Sequence, residues 1–120
     1  MGLFTRNKKE ALPWSKLEKE DGITEIVEAS KEEPQLIFKH STRCSISSMA
    51  LNRFESEWPQ DANCKINFLD LIAFRSVSNG VADKLHVEHQ SPQAILIQNG
   101  QVTYHASHSA IRVADILEKL

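Results

Sequence analysis

The chain is short of long apolar runs, of glycine and of cysteine, with four glycines and two cysteines in 120 residues. No stretch approaches the roughly 20 apolar residues that a membrane helix requires, so a spanning protein is not expected. An excess of positive charge is missing too. The formal net charge is −2, which argues against nucleic acid or an anionic membrane as a partner. Two cysteines are too few for a disulfide framework and fit a reducing compartment. There is no Gly-rich phosphate loop and no G-x-S-x-G, so kinase, coenzyme-carrier and hydrolase chemistries lack their signatures. The opening "MGLFTRNKKE" has no apolar export core after its charges, and Arg6 stands where N-myristoylation needs Ser or Thr. These absences lead to the expectation of a cytoplasmic protein. What is present is ordinary: 41% apolar and 25% charged residues, enough for one compact domain with its own core.

Punctuation and periodicity divide the chain. Residues 1–11 are polar and expected to be flexible, and residues 12–120 to form a single domain. Trp14 and Leu17 are the strong anchors of "LPWSKLEKEDG", and the indole is expected to pack this segment on the sheet. "ITEIVEASKEE" places Ile23, Ile26 and Val27 on one helical face and is closed by Pro34. "QLIFKH" (35–40) reads as a buried strand. "CSISSMALNRFESEW" (44–58) reads as a helix with Ile46, Met49, Ala50 and Phe54 facing inward and Pro59 just past its end. "CKINFLDLI" (64–72) reads as a strand through Ile66, Phe68 and Leu71, and "SVSNGVADKL" as a short helix with a serine near its start. Asn99-Gly100 joins two strands in the strongest short hairpin signal. "SAIRVADILEKL" ends the chain as a helix with Ala110, Val113, Ala114 and Leu117 inward. Helix, strand, helix, strand, helix, hairpin, helix implies a parallel β-α-β unit extended by an antiparallel hairpin. The expected fold is α/β: a mixed four-stranded sheet flanked by helices, with an extra N-terminal helical segment.

"FKHSTRCSISSM" (38–49) carries the chemistry. Cys44 follows polar residues and opens a helix, where free N–H groups and the positive end of the dipole favour a thiolate, the form that attacks disulfides. Lys39 and Arg43 are nearby positive charges. Ser47, one helical turn on, has a hydroxyl within reach of the sulfur but cannot form a disulfide with it. The plain alternative is a buried structural cysteine, since free cysteine is among the most buried residue types. Cys64 heads an apolar strand and reads as structural, with a resolving thiol as its alternative. His40, at the strand end four residues before Cys44, is either a contact of the thiolate or a loop histidine. Asp70, at the end of the second strand, reads as a loop residue or as an acid near the site. His86, His89, His105 and His108 form no C-x₂-C-like set, so no metal is expected; the last two read as flanking the final helix.

Two separated segments, "LIFKHSTRCSISSMALNRFE" and "HQSPQAILIQNGQVTYHASHSAI", together resemble the YtxJ-like monothiol bacilliredoxins of the thioredoxin-fold superfamily. The resemblance spans residues 12 to 120, with Ser45 where the family usually has proline. It implies the thioredoxin-like fold and a cis peptide bond at Pro92 facing the active cysteine. It also implies monothiol–disulfide exchange at Cys44, supported by His40, Thr42, Arg43, Ser45, Ser47, Ser91, Pro92 and Gln93. No bound cofactor is implied; a low-molecular-weight thiol such as bacillithiol is the co-substrate, and S-thiolated proteins are the partners. Two other readings of the same scaffold remain: a non-catalytic binding module, since fold does not fix function, and a thiol-based oxidation sensor.

Overall fold

The computed structural model describes residues 11–120. The expected flexible segment therefore lies, but for Ala11, outside the described residues. In order, the elements are β1 (Ser15–Lys16), α1 (Asp21–Ala29), β2 (Gln35–His40), α2 (Ser45–Glu57), β3 (Lys65–Asp70), α3 (Arg75–Leu85), β4 (Gln93–Gln98), β5 (Gln101–Ser107), a 3₁₀ turn (His108–Ala110) and α4 (Val113–Lys119).

The sheet order is β1-β3-β2-β4-β5. β1 and β2 run parallel to β3, whereas β4 runs antiparallel to β2 and to β5. The sheet is thus mixed, as expected, but five-stranded rather than four-stranded. The added strand is β1, whose two residues pair Ser15 with Asn67 and Lys16 with Phe68. Two residues are too few to show a period of two, so only the anchors Trp14 and Leu17 hint at it. The hairpin turn has φ of 53° at Asn99 and 80° at Gly100, the left-handed pair that a two-residue type I′ connection needs. Ser30, just past α1, holds this turn: its carbonyl accepts the Asn99 N–H and its Oγ the Gly100 N–H.

All six residues of β2 are buried, because helices cover both faces of the sheet. Alternation sends Leu36 and Phe38 into one core with Ala50 and Phe54 of α2, Trp58, and Val113 and Ile116 of α4. Ile37 goes into the other, with Ile23 and Ile26 of α1, Val77 and Val81 of α3, Leu69, Ile95 and Ile97. Trp14 packs edge-on against Phe38 and Phe68 and donates from Nε1 to Glu55 at 2.8 Å, tying the N-terminal segment to α2.

Three inward faces and one helix cap differ from expectation. In α2 the buried stripe is Ser47, Ala50 and Phe54, and Ile46 and Met49 are 58% and 68% exposed. Apolar residues on both sides of that helix left its rotational phase open. In β3, Asn67 and Leu69 are buried and Phe68 is half-buried, because covered faces erase the alternation. No serine caps α3; Asp70 Oδ1 instead accepts the N–H groups of Ile72 and Ala73 in the turn leading to it. The last helix starts only at Val113, and Ile111 and Ile116 are buried while Ala110 and Ala114 are exposed.

Candidate active site

Cys44 is the N-cap of α2, with extended backbone (φ −121°, ψ 122°). Its carbonyl accepts the Ser48 N–H at 3.1 Å and its own N–H bonds to Ser41 O at 3.2 Å. The N–H groups that follow an N-cap have no intrahelical acceptor, and with the helix dipole they favour an anion beside them. Cys44 is half-buried and free. Thr42, Arg43 and Ser45 are exposed around it. Ser45 occupies the first position of α2, where it keeps a backbone N–H that proline would remove.

Ser47 points inward and is fully buried. Its Oγ lies 2.7 Å from His40 Nδ1 and accepts the Ser41 N–H at 3.0 Å. The hydroxyl and the imidazole are thus bound to each other rather than to the sulfur, and they clip the first turn of α2 to the end of β2. His40 is nearly buried against Phe68. Burial lowers its affinity for a proton, opposed by the carboxylates of Asp70 and Glu55. Asp70 is the register partner of His40, which places this acid next to the site.

The Ser91–Pro92 peptide is cis. Because Lys39 pairs with Gln93, Pro92 lies level with His40, at the end of the sheet that carries Cys44. The Pro92 carbonyl accepts the His108 N–H at 3.0 Å. Gln93 belongs to β4, and its side chain turns to the loop below, donating from Nε2 to Glu88 O at 3.0 Å. The Ser91 hydroxyl is buried without a partner. Beside Cys44, the exposed Ile46 and Met49 border a shallow groove completed by Ala50, Arg53, His108 and Ser109.

Lys39 does not join this group. Alternation along β2 puts it on the face opposite Phe38 and His40, where its Nζ meets His89 Nδ1 at 3.3 Å. That separation was readable from "FKH" as a period of two; the partner was not. Cys64 is buried before β3, level with the start of β2. The strand length between the two sulfurs, on the order of 15–20 Å, exceeds the ~7 Å that a disulfide tolerates between Cα atoms. Burial, with a contribution from Glu33, pushes the Cys64 thiol up to about 12. His86 is the C-cap of α3 and His105 lies within β5, so of the two late histidines only His108 flanks the terminal segment as expected. Among the described residues no three His, Cys, Asp or Glu side chains converge on a possible metal position. No helix among them is long and apolar enough to cross a membrane.

The comparisons with known proteins agree with this geometry. A solved structure described as an oxidoreductase with a thioredoxin fold is 27% identical, with a TM-score of 0.75 over 87% of this chain and 90% of its own. Thioredoxins from Nicotiana alata and Malassezia sympodialis superpose with TM-scores of 0.69 and 0.65 at 12% and 14% identity. Each covers 93% of this chain; 93% of the former and 94% of the latter is matched in return, a likeness of fold. The family described as monothiol bacilliredoxin BrxC matches residues 15–116. The chain therefore belongs to the monothiol bacilliredoxin family, thiol–disulfide oxidoreductases on a thioredoxin fold.

Proposed function

We propose that the protein removes bacillithiol from mixed disulfides on oxidised cytoplasmic proteins, with Cys44 as the nucleophile and residues 12–120 acting as one unit. The observation that carries this reading is a half-exposed thiol at a helix N-terminus with no second sulfur within bridging distance. The Cys44 thiolate attacks the bacillithiol sulfur of the mixed disulfide. A Cys44–bacillithiol disulfide forms, the substrate's S–S bond breaks, and the protein thiolate leaves and takes up a proton. Ser47 cannot resolve this intermediate internally, so a second bacillithiol thiolate attacks the bacillithiol sulfur bound to Cys44. Oxidised bacillithiol leaves and the Cys44 thiolate returns. The transferred bacillithiol stays at the disulfide level throughout; the second bacillithiol is the reductant, its thiol being oxidised as the protein sulfur is reduced.

The supporting residues take different parts. Thr42, Arg43 and Ser45 flank Cys44 in the chain and are exposed for contact with a substrate, and Ser91 and Pro92, in the loop just before β4 and level with the end of β2, would receive it from the other side. His40 and Ser47 set the shape of the loop between them. Gln93 contributes from below, through Glu88. The substrate protein's own chain has Ile46, Met49 and the groove toward His108 to rest on. The test is release of bacillithiol from a defined mixed-disulfide protein, with free bacillithiol as acceptor. Cys44→Ser is expected to abolish it; full turnover by that variant would overturn the reading.

A further inference from the structure

Lys39 is the buried charge that thiol exchange leaves unused. It is fully buried, whereas lysine is rarely so unless paired. Its Nζ has His89 Nδ1 at 3.3 Å. An ammonium only donates, so Nδ1 is the accepting nitrogen and the ring proton sits on Nε2. His89 belongs to the loop between α3 and β4, residues 86–92, which ends in Ser91 and Pro92. A second bond holds the same loop from the same side: Gln93, the register partner of Lys39, donates to Glu88 O. The other buried polar atoms here, Ser91 Oγ and Gln93 Oε1, have no partner. Two side chains of adjacent strands therefore grip the loop at consecutive residues, 88 and 89.

We infer that Lys39 and His89 are positioning residues whose hydrogen bond holds the 86–92 loop so that Ser91 and Pro92 stand ready for a disulfide bound at Cys44. This rests on the reading that the Pro92 loop receives the substrate. The bond has a proton-dependent partner, because Nδ1 accepts only while the imidazole is neutral. Partial loss of solvent at the ring, which is otherwise exposed, then Lys39 from β2, then Arg75 from α3 make His89 a weaker base than a free histidine. Burial likewise lowers the Lys39 ammonium to about 8. Acid that protonates His89 sets two cations face to face and opens the grip.

The experiment compares the full chain with Lys39→Met, His89→Phe and His89→Gln. The probe is a protein carrying one mixed disulfide with bacillithiol, and free bacillithiol is the acceptor. Lys39→Met and His89→Phe are expected to raise KM about tenfold, to speed amide exchange in residues 86–92, and to leave the rate of Cys44 alkylation by iodoacetamide unchanged. The wild type is expected to lose kcat/KM on the acid side of histidine titration, and Lys39→Met to lack that limb. His89→Gln keeps an acceptor that does not titrate, so it should retain KM and also lack the limb. His89 is exposed, so its two variants serve even if Lys39→Met fails to fold. Wild-type KM and exchange in His89→Phe, or Cys44 alkylation slowed as much as turnover, would overturn the inference. Loop exchange needs no turnover, so it is read independently of whether Cys44→Ser sinks the function itself.

Discussion

Burial separates the two sulfurs. Cys44 meets solvent at a helix start, and Cys64 sits in a core that pushes its thiol up to about 12. Iodoacetamide on the native protein at pH 8 should therefore label Cys44 first and Cys64 only after denaturation, as read by peptide mass spectrometry. Equal native labelling would contradict this assignment. Ser47 carries a different weight. Ser47→Ala removes the partner of His40 Nδ1 and the acceptor of the Ser41 N–H in a buried place. It should cost about 1–3 kcal/mol, measured as a lower urea midpoint at unchanged m. The histidines add a pH dependence. Both His40 and His89 bind a proton less tightly folded than unfolded. The unfolded chain then holds more protons below its histidine pKa of about 6.5, so stability should fall as pH drops through that value. A urea midpoint that stays flat from pH 7.5 to 5.5 would contradict the shifts. The helix-start position of Cys44 was legible because polar residues and a helix pattern flank it. The His40–Ser47 bond was not, since a contact seven residues apart across a strand end follows no repeat.

Strands with strong neighbours were legible as elements, and helix faces less so. β2 and the hairpin announce themselves by a short apolar run and by Asn99-Gly100, where geometry and residue type coincide. Gly100→Ala forces a side chain onto φ 80° and should cost about 1 kcal/mol, read by chemical denaturation. The phase of α2 differs from its sequence pattern because Ile46 and Met49 are apolar yet outward. Ile46→Ser with Met49→Ser should leave the denaturation midpoint unchanged, and should slow release of bacillithiol from a protein while sparing a small bacillithiol disulfide. Equal slowing of both substrates would show that the apolar pair does not bind the protein part.

At the scale of the whole molecule, the sheet divides two cores, and the aromatic one supports the site. Phe54 lies 5.2 Å from Phe38 and 5.0 Å from Trp58, ring centre to ring centre, with Trp14 at 5.6 Å. Phe54→Ala should cost about 3–5 kcal/mol because aromatic neighbours on three sides cannot all close the space. The division itself was implied by helices on both faces, whereas β1 stayed hidden because two residues carry no period. β2 serves both halves by turns: Phe38 and His40 face α2, and Lys39 faces the loop tether. A strand used on both sides tolerates a change of residue better than a change in residue number. One residue inserted before Leu36 would hand the lysine to the aromatic core and the histidine to the loop, exchanging the tools of the two faces at once.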